Sequence, residues 1–293
     1  MFKIVQKQII AQDIKRIDIA AASIAMKILP GQFVMVQPDA KSHSVPLTAV
    51  DADGAKGVLS FIVHEVGAST KALGSISIGQ PLPMIVGPLG RPAVIEKYGL
   101  VICVATGIGA AQILPICRAL KKKGNKVIGI VGAKSKKVLM LEAQMRVVCD
   151  EIFIATNDGS YERKGLATQI LHELLAKYKV DAIYAIGSVD MMEAASRMAR
   201  EKSIPVRVTL NPYMATGVGV CGSCRVRVNG QFQLACTDGP EFNGYEVDFE
   251  DVRRREDAMK EKAWDRQNRP ANRPSGALKI FKKSFWGLEK SKV

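Results

Sequence analysis

Short apolar runs separated by turn signals fill the first 98 residues, and none keeps the 3.6-residue period of a helix. QFVMVQ (32–37), PLTAV (46–50) and VLSFIVHEV (58–66) have the length and composition of strands. DADGAKG (51–57) has the composition of a hairpin loop, and GPLGRP (87–92) closes the region with glycines and prolines. Several short strands without helices predict a small antiparallel β-barrel over 1–98.

At Leu100 the pattern changes to apolar runs alternating with amphipathic stretches. LVICVA (100–105), KVIGIVG (126–132), EIFIAT (151–156), DAIYAIG (181–187) and PVRVTL (205–210) read as strands. Helices are predicted between them, over about 110–122, 138–148, 165–178 and 190–201, with Ser188 as an N-cap. Five strands joined by helical crossovers predict a doubly wound parallel sheet over 99–210. A cysteine-bearing segment, 211–250, follows. The last part, 251–293, predicts a charged helix over about 250–266, a Pro-rich linker RPANRPSG (269–276), and a short basic amphipathic piece containing Phe281, Phe285 and Trp286.

Composition adds bounds. A chain of 293 residues with 47% hydrophobic residues can bury two ordinary domains and a smaller third. Six cysteines are too few for a disulfide framework, and Cys103, Cys117 and Cys149 sit in apolar runs as core residues, so a reducing cytoplasm fits. The net charge is +14, and residues 251–293 carry thirteen Lys/Arg against six Asp/Glu, the composition of a solvated tail. No nucleic-acid-binding motif accompanies that charge. The N-terminus lacks the layout of a signal peptide. The longest uncharged run, 100–117, holds Gly107, Gly109, Gln112 and Pro115, which suit a strand–turn–helix better than a membrane span.

Two patterns carry chemistry. The first is Ala105-Thr106-Gly107-Ile108-Gly109-Ala110-Ala111 at the first strand-to-helix turn, where glycines and a helix N-terminus favour a pyrophosphate. It is an incomplete G-x-G-x-x-G, because Gln112 stands at the last glycine position. The second strand ends GAKSKK (132–137) with no acid for a ribose hydroxyl, and Lys134, Lys136 and Lys137 are available to a 2′-phosphate or to solvent. The turns NDGSYERKG (157–165), which contains Asp158, and GSVDMM (187–192) lie at the ends of strands where open α/β sheets bind ligands. The second pattern is Cys221, Cys224 and Cys236 with glycines at 217, 219 and 222. A C-x4-C-x2-C…C iron–sulfur run would place its first cysteine at 216, where Thr216 stands. Zinc is disfavoured, with no histidine or fourth cysteine nearby. His43, His64 and His172 are scattered, and no catalytic triad or P-loop is present.

The chain resembles the electron-transfer subunits that include the small subunit of NADH-dependent ferredoxin:NADP⁺ oxidoreductase and the electron-transfer subunit of dihydroorotate dehydrogenase. The resemblance covers about residues 1–250. It rests on PGQFVMV (30–36), PLT (46–48), HEVGASTKALG (64–74), VGPLG (86–90), NDGSYERKG, AIGSVDMM, LNPYM and CGSCRV…ACTDGPEF. It implies a ferredoxin-reductase-like module with FAD at the boundary of barrel and sheet, NAD(P)H on the parallel sheet and a [2Fe-2S] cluster in the cysteine segment. By position, Pro46, Leu47 and Thr48 border the flavin, Val66, Gly67 and Thr70 meet its phosphates, and His64 and Asp158 join the cofactor-binding set. Gly107, Gly109, Gly187 and Met191 line the nicotinamide nucleotide. Cys221, Cys224 and Cys236 hold iron, with Thr216 at the fourth position. The implied partner is a larger flavin and iron–sulfur catalytic subunit, in a heterodimer or higher complex, with a ferredoxin-like or other redox acceptor beyond it.

Three departures accompany the resemblance. Ser44 and Val45 stand where the family has an arginine before Pro-Leu-Thr, Thr106 and Gln112 replace a glycine and a proline of the nucleotide turn, and Thr216 replaces an acidic or cysteine ligand. The competing reading they support is a degenerate paralogue, kept as a scaffold or regulatory subunit and lacking one or more cofactors.

Overall fold

The computed structural model describes residues 2–267. A first compact unit extends to Glu256 and a second begins at Asp257. The expected linker and basic amphipathic piece lie outside the described residues.

Six antiparallel strands come first: β1 (Lys3–Ala11), β2 (Ile14–Ala20), β3 (Phe33–Gln37), β4 (Val45–Asp53), β5 (Val58–His64) and β6 (Met84–Leu89), in the order β1-β2-β5-β4-β3-β6. The order closes on itself. The Leu82 N–H donates to Phe2 O at 2.9 Å and the Gly79 N–H to Ile4 O at 2.8 Å, so β1 is bonded to the chain just ahead of β6. The barrel interior takes alternate residues of the apolar runs, among them Ile17, Ile19, Val34, Val36, Leu59 and Phe61, all fully buried. Two short helices interrupt the strands, α1 (Ala22–Ala25) and α2 (Ala68–Ser75). The sequence reading missed both because neither keeps an apolar stripe; in α2 only Leu73 and Gly74 are buried.

The second sheet holds β7 (Leu100–Thr106), β8 (Lys126–Ala133), β9 (Glu151–Thr156), β11 (Ala182–Ile186) and β12 (Val206–Thr209), all parallel, in the order β9-β8-β7-β11-β12. Its crossovers are α3 (Gly109–Lys122), α4 (Glu142–Val148), α5 (Ala167–Lys177) and α6 (Val189–Glu201). Val101, Cys103 and Ala105 of β7 pack with Ile113, Leu114 and Leu120 of α3, while Ile102 and Val104 pack with Leu171 of α5 and Ala195 of α6. Period-2 alternation in one strand thus feeds helices on both faces, which is the doubly wound arrangement expected. Cys103, Cys117 and Cys149 lie together in the α3 and α4 layer, as the core thiols anticipated.

Two edge strands extend the five. The two-residue β10 (Arg163–Lys164) pairs parallel with β9, and β15 (Glu241–Asn243) pairs antiparallel with β12, Val208 opposite Phe242. β15 belongs to the cysteine segment, which also forms the hairpin β13 (Arg225–Val228) and β14 (Gln231–Leu234). A three-residue strand with one buried side chain leaves no period to detect. α4 begins at 142 and not at 138, because residues 136–138 form a 3₁₀ turn and Leu141 takes a left-handed conformation, φ +59°. The last helix, α7 (Phe249–Gln267), falls where the charge pattern placed it. Among the described residues no helix is long and apolar enough to cross a membrane.

Candidate functional site

A cleft of about 190 Å³ opens where the three parts of the first unit meet. One wall is β4, through Pro46, Leu47 and Thr48. A second is the first turn of α3, through Ile108, Ala111 and Gln112. The third is the chain leaving β12, through Thr209, Asn211, Pro212 and Met214, with Pro240 beside it. The Pro-Leu-Thr run and the glycine turn, 60 residues apart in sequence, therefore face one space.

The barrel rim continues from this wall. β4 and β5 are antiparallel, so the start of β4 and the end of β5 share one edge of the barrel, and His64 ends β5 there. Next come Val66, 70% exposed, and the first turn of α2. The Thr70 Oγ1 accepts from the Gly67 N–H at 3.0 Å and donates to Gly67 O at 3.0 Å, fixing the helix start. The remaining first-turn N–H groups have no intrahelical acceptor, the usual condition for receiving an anion.

At the top of the parallel sheet, β7 and β11 are neighbours and their turns press together. A Cβ on Gly109 would lie 2.2 Å from Ile186 O, and one on Gly187 would lie 2.0 Å from Thr106 Oγ1. Both glycines are therefore required by chain packing. Gly107 differs: its φ is +55° and a Cβ there would meet nothing within 4 Å, so its face of the turn is open. The Ser188 N–H donates to Thr106 Oγ1 at 3.0 Å, and the Ser188 side chain caps α6 by accepting from Met191 N–H at 3.4 Å. The Met191 side chain is 5% exposed and packs in the core, so only its backbone belongs to this turn. Asp158 lies farther along the strand ends, where it accepts from the N–H and hydroxyl of Ser160 at 3.0 and 2.7 Å. Those bonds, the hydroxyl first, hold its carboxyl below the usual range. All three lysines are exposed, and Lys136 is placed over the Tyr161 ring at 4.4 Å.

The cysteine segment packs on the barrel: a Cβ on Gly217 would lie 2.6 Å from Met35 of β3. Its four candidate ligands fall into two pairs. Thr216 Oγ1 donates to Cys221 Sγ at 3.3 Å, and Cys224 Sγ lies 3.2 Å from Cys236 Sγ. A [2Fe-2S] cluster takes two protein ligands on each iron, so this pairing suits it. The Gly219 backbone favours the thiolate of Cys236 and the Ser223 backbone that of Cys221, the kind of main-chain support such a cluster uses. Among the described residues no group of three or more His, Cys, Asp or Glu side chains is arranged as a metal site.

Ser223, which cysteine spacing could not single out, lies 3.1 Å from Cys221 Sγ; its hydroxyl, and then that of Thr216, pull the Cys221 thiol down to about 6. Burial, reinforced by Cys224, pushes the Cys236 thiol up to about 11. Cys221 is exposed and flanked by Val218 and Val220, 46% and 79% exposed, so one end of the pair array reaches the surface. Glu241 is a further group the sequence did not flag. It accepts from the Val94 N–H at 3.0 Å, its other oxygen has no partner among the described residues, and burial pushes its carboxyl up to about 7.

Residues 211–248 match the family described as the iron–sulfur cluster binding domain of dihydroorotate dehydrogenase B. A dihydroorotate dehydrogenase B (NAD⁺) electron transfer subunit homolog from Thermotoga maritima is 38% identical over 253 residues, covering 86% of this chain and 89% of that protein. The corresponding electron transfer subunit of Clostridium perfringens is 32% identical, covering 76% of this chain and 88% of its own length. A solved structure of the NADH-dependent reduced ferredoxin-NADP oxidoreductase, described for flavin-based electron bifurcation, superposes with a TM-score of 0.85 at 35% identity over 91% of this chain and 98% of its own. Phthalate dioxygenase reductase, at 15% identity and a TM-score of 0.55, shares the fold. On sequence, architecture and the paired cysteines, the chain belongs to the electron-transfer subunits of dihydroorotate dehydrogenase B and their homologues.

Proposed function

We propose that this chain passes electrons between a nicotinamide nucleotide, FAD and a [2Fe-2S] cluster, and between that cluster and a larger catalytic subunit. The observation that carries this reading is the single cleft shared by Pro46–Thr48, the Ile108–Gln112 turn and the start of the cysteine segment. Residues 1–98 form the flavin part, 99–210 the nucleotide part and 211–250 the cluster part, with 251–293 as an extension. FAD, when bound, supplies the conversion between two-electron hydride chemistry and one-electron transfer.

The chain does the rest. Pro46, Leu47 and Thr48 border the flavin ring, and the α2 start, with Val66, Gly67 and Thr70, receives its phosphates beside His64. The open backbone at Gly107 and the α6 N-terminus after Gly187 receive the nucleotide, with Asp158 ordering the outer loop. Phe33, Ile62, Ile108 and Met214 make the cleft largely apolar, which strengthens polar contacts made inside it. Cys221, Cys224 and Cys236 hold iron with Thr216 at the fourth position, and six free thiols suit a reducing cytoplasm.

The complex with the larger subunit, mixed anaerobically with NADH or NADPH, provides the test. Bleaching of flavin absorbance should precede the appearance of a reduced [2Fe-2S] signal by electron paramagnetic resonance. Neither nucleotide reducing the flavin, or a reduced flavin with no such signal, contradicts the reading.

A further inference from the structure

Gln112 and Asn211 hold each other by two hydrogen bonds. Gln112 Nε2 donates to Asn211 Oδ1 at 2.9 Å, and Asn211 Nδ2 donates to Gln112 Oε1 at 2.9 Å. Among the described residues these are the only hydrogen bonds either side-chain amide makes. Both residues stand on the cleft wall; Asn211 is exposed and Gln112 half-buried. Two accessible amides bonded to each other add little stability, because water offers equivalent bonds. Their value to the fold does not explain them.

Their chemistry is more specific. Each amide presents a carbonyl acceptor beside an N–H donor, so a third group with that pattern can replace either member of the pair. Two such groups suit this cleft: the carboxamide of a nicotinamide ring and the pyrimidine edge of a flavin. Position separates them. Gln112 lies three residues after Gly109, on the helix that follows the glycine turn, whereas the Pro46–Thr48 wall belongs to the barrel. It also occupies the place of the last glycine in G-x-G-x-x-G, which normally allows close helix–strand packing. Here the side chain at that place lines the cleft.

We propose that Gln112 and Asn211 are the carboxamide-recognition pair of the nicotinamide nucleotide. Each gives up its bond to the other: Asn211 Nδ2 donates to the carboxamide oxygen, and Gln112 Oε1 accepts from the carboxamide N–H. The pair thereby orients the ring against the flavin wall and selects nucleotides with an intact carboxamide. This assignment rests on the nucleotide site proposed above.

The test is equilibrium binding, without turnover, to the oxidised, flavin-loaded complex. The probes are NAD⁺ and NADP⁺, their 3-acetylpyridine analogues, which keep the carbonyl but lose the N–H donor, and ADP-ribose, which lacks the ring. The parent should bind its natural nucleotide about tenfold more tightly than the analogue, the effect of one hydrogen bond. Gln112→Ala should bring that ratio close to one, and Gln112→Glu, which keeps an acceptor, should restore it. Asn211→Ala should weaken both dinucleotides equally and leave ADP-ribose unchanged. A parent with no preference, or a ratio unchanged in Gln112→Ala, overturns the assignment. Loss of flavin from the variants with the ratio intact also overturns it and points to the flavin edge. A flavin-loaded parent that binds neither ADP-ribose nor any dinucleotide instead contradicts the nucleotide site itself, and the pair's role falls with it.

Discussion

Thr216 places a hydroxyl 3.3 Å from the Cys221 sulfur, at the position where related runs supply a fourth ligand. A neutral hydroxyl is a weak iron ligand, whereas a carboxylate in the same place adds a charged oxygen donor. Thr216→Asp should therefore slow iron release to a chelator by roughly tenfold, read as iron retained over time; an unchanged rate would place the fourth ligand elsewhere. Glu241 gives a pH prediction. Its folded-state value of about 7 lies above the ordinary 4.5, so the folded state holds the proton more tightly than the unfolded chain does. That stability is fully present below about 4.5 and is lost as pH rises through 7, on the order of 3 kcal/mol. Glu241→Gln cannot ionise, so its Tm relative to the parent should rise between pH 5 and pH 8; a constant offset would contradict the assignment. The three cysteines were legible because spacing and glycine content mark them. Ser223 and Glu241 were not, because burial and a partner 147 residues away define the latter's role.

Elements account for the rest of the site. The five parallel strands were legible because each is a compact apolar run followed by an amphipathic helix. β15 was not, since only tertiary pairing with β12 makes a strand of Glu241–Asn243. The glycine turns show a similar split: the sequence marks Gly107, Gly109 and Gly187 alike, while the structure gives them different tasks. Gly109→Ala drives a methyl group into Ile186 O and should cost about 1–3 kcal/mol, seen as a lower Tm. Gly107→Ala meets open space, so its cost is the left-handed backbone alone, about 1–2 kcal/mol. At saturating flavin, Gly107→Ala should also weaken nucleotide binding; retained affinity would mean the open turn is not the site.

At the scale of the whole first unit, the linker between barrel and sheet ties the parts together. The Val94 N–H donates to Glu241 while the Tyr184 hydroxyl donates to Val94 O, and the Arg91 N–H donates to Gly239 O at 2.7 Å. The cysteine segment is thus bonded to the linker and packed on β3, and its Met214, two residues before Thr216, lines the cleft. The departures at Ser44-Val45, Gln112 and Thr216 leave this framework intact, and Gln112 gains a partner in it. On this reading the framework carries a cluster of its own. The direct measurement is iron and acid-labile sulfide in the anaerobically purified complex, compared with the same complex carrying Cys224→Ser and Cys236→Ser in this chain. A deficit of about two irons and two sulfides per chain in the variant, with the [2Fe-2S] signal lost, is the expected result. Equal iron and sulfide in both samples would contradict it.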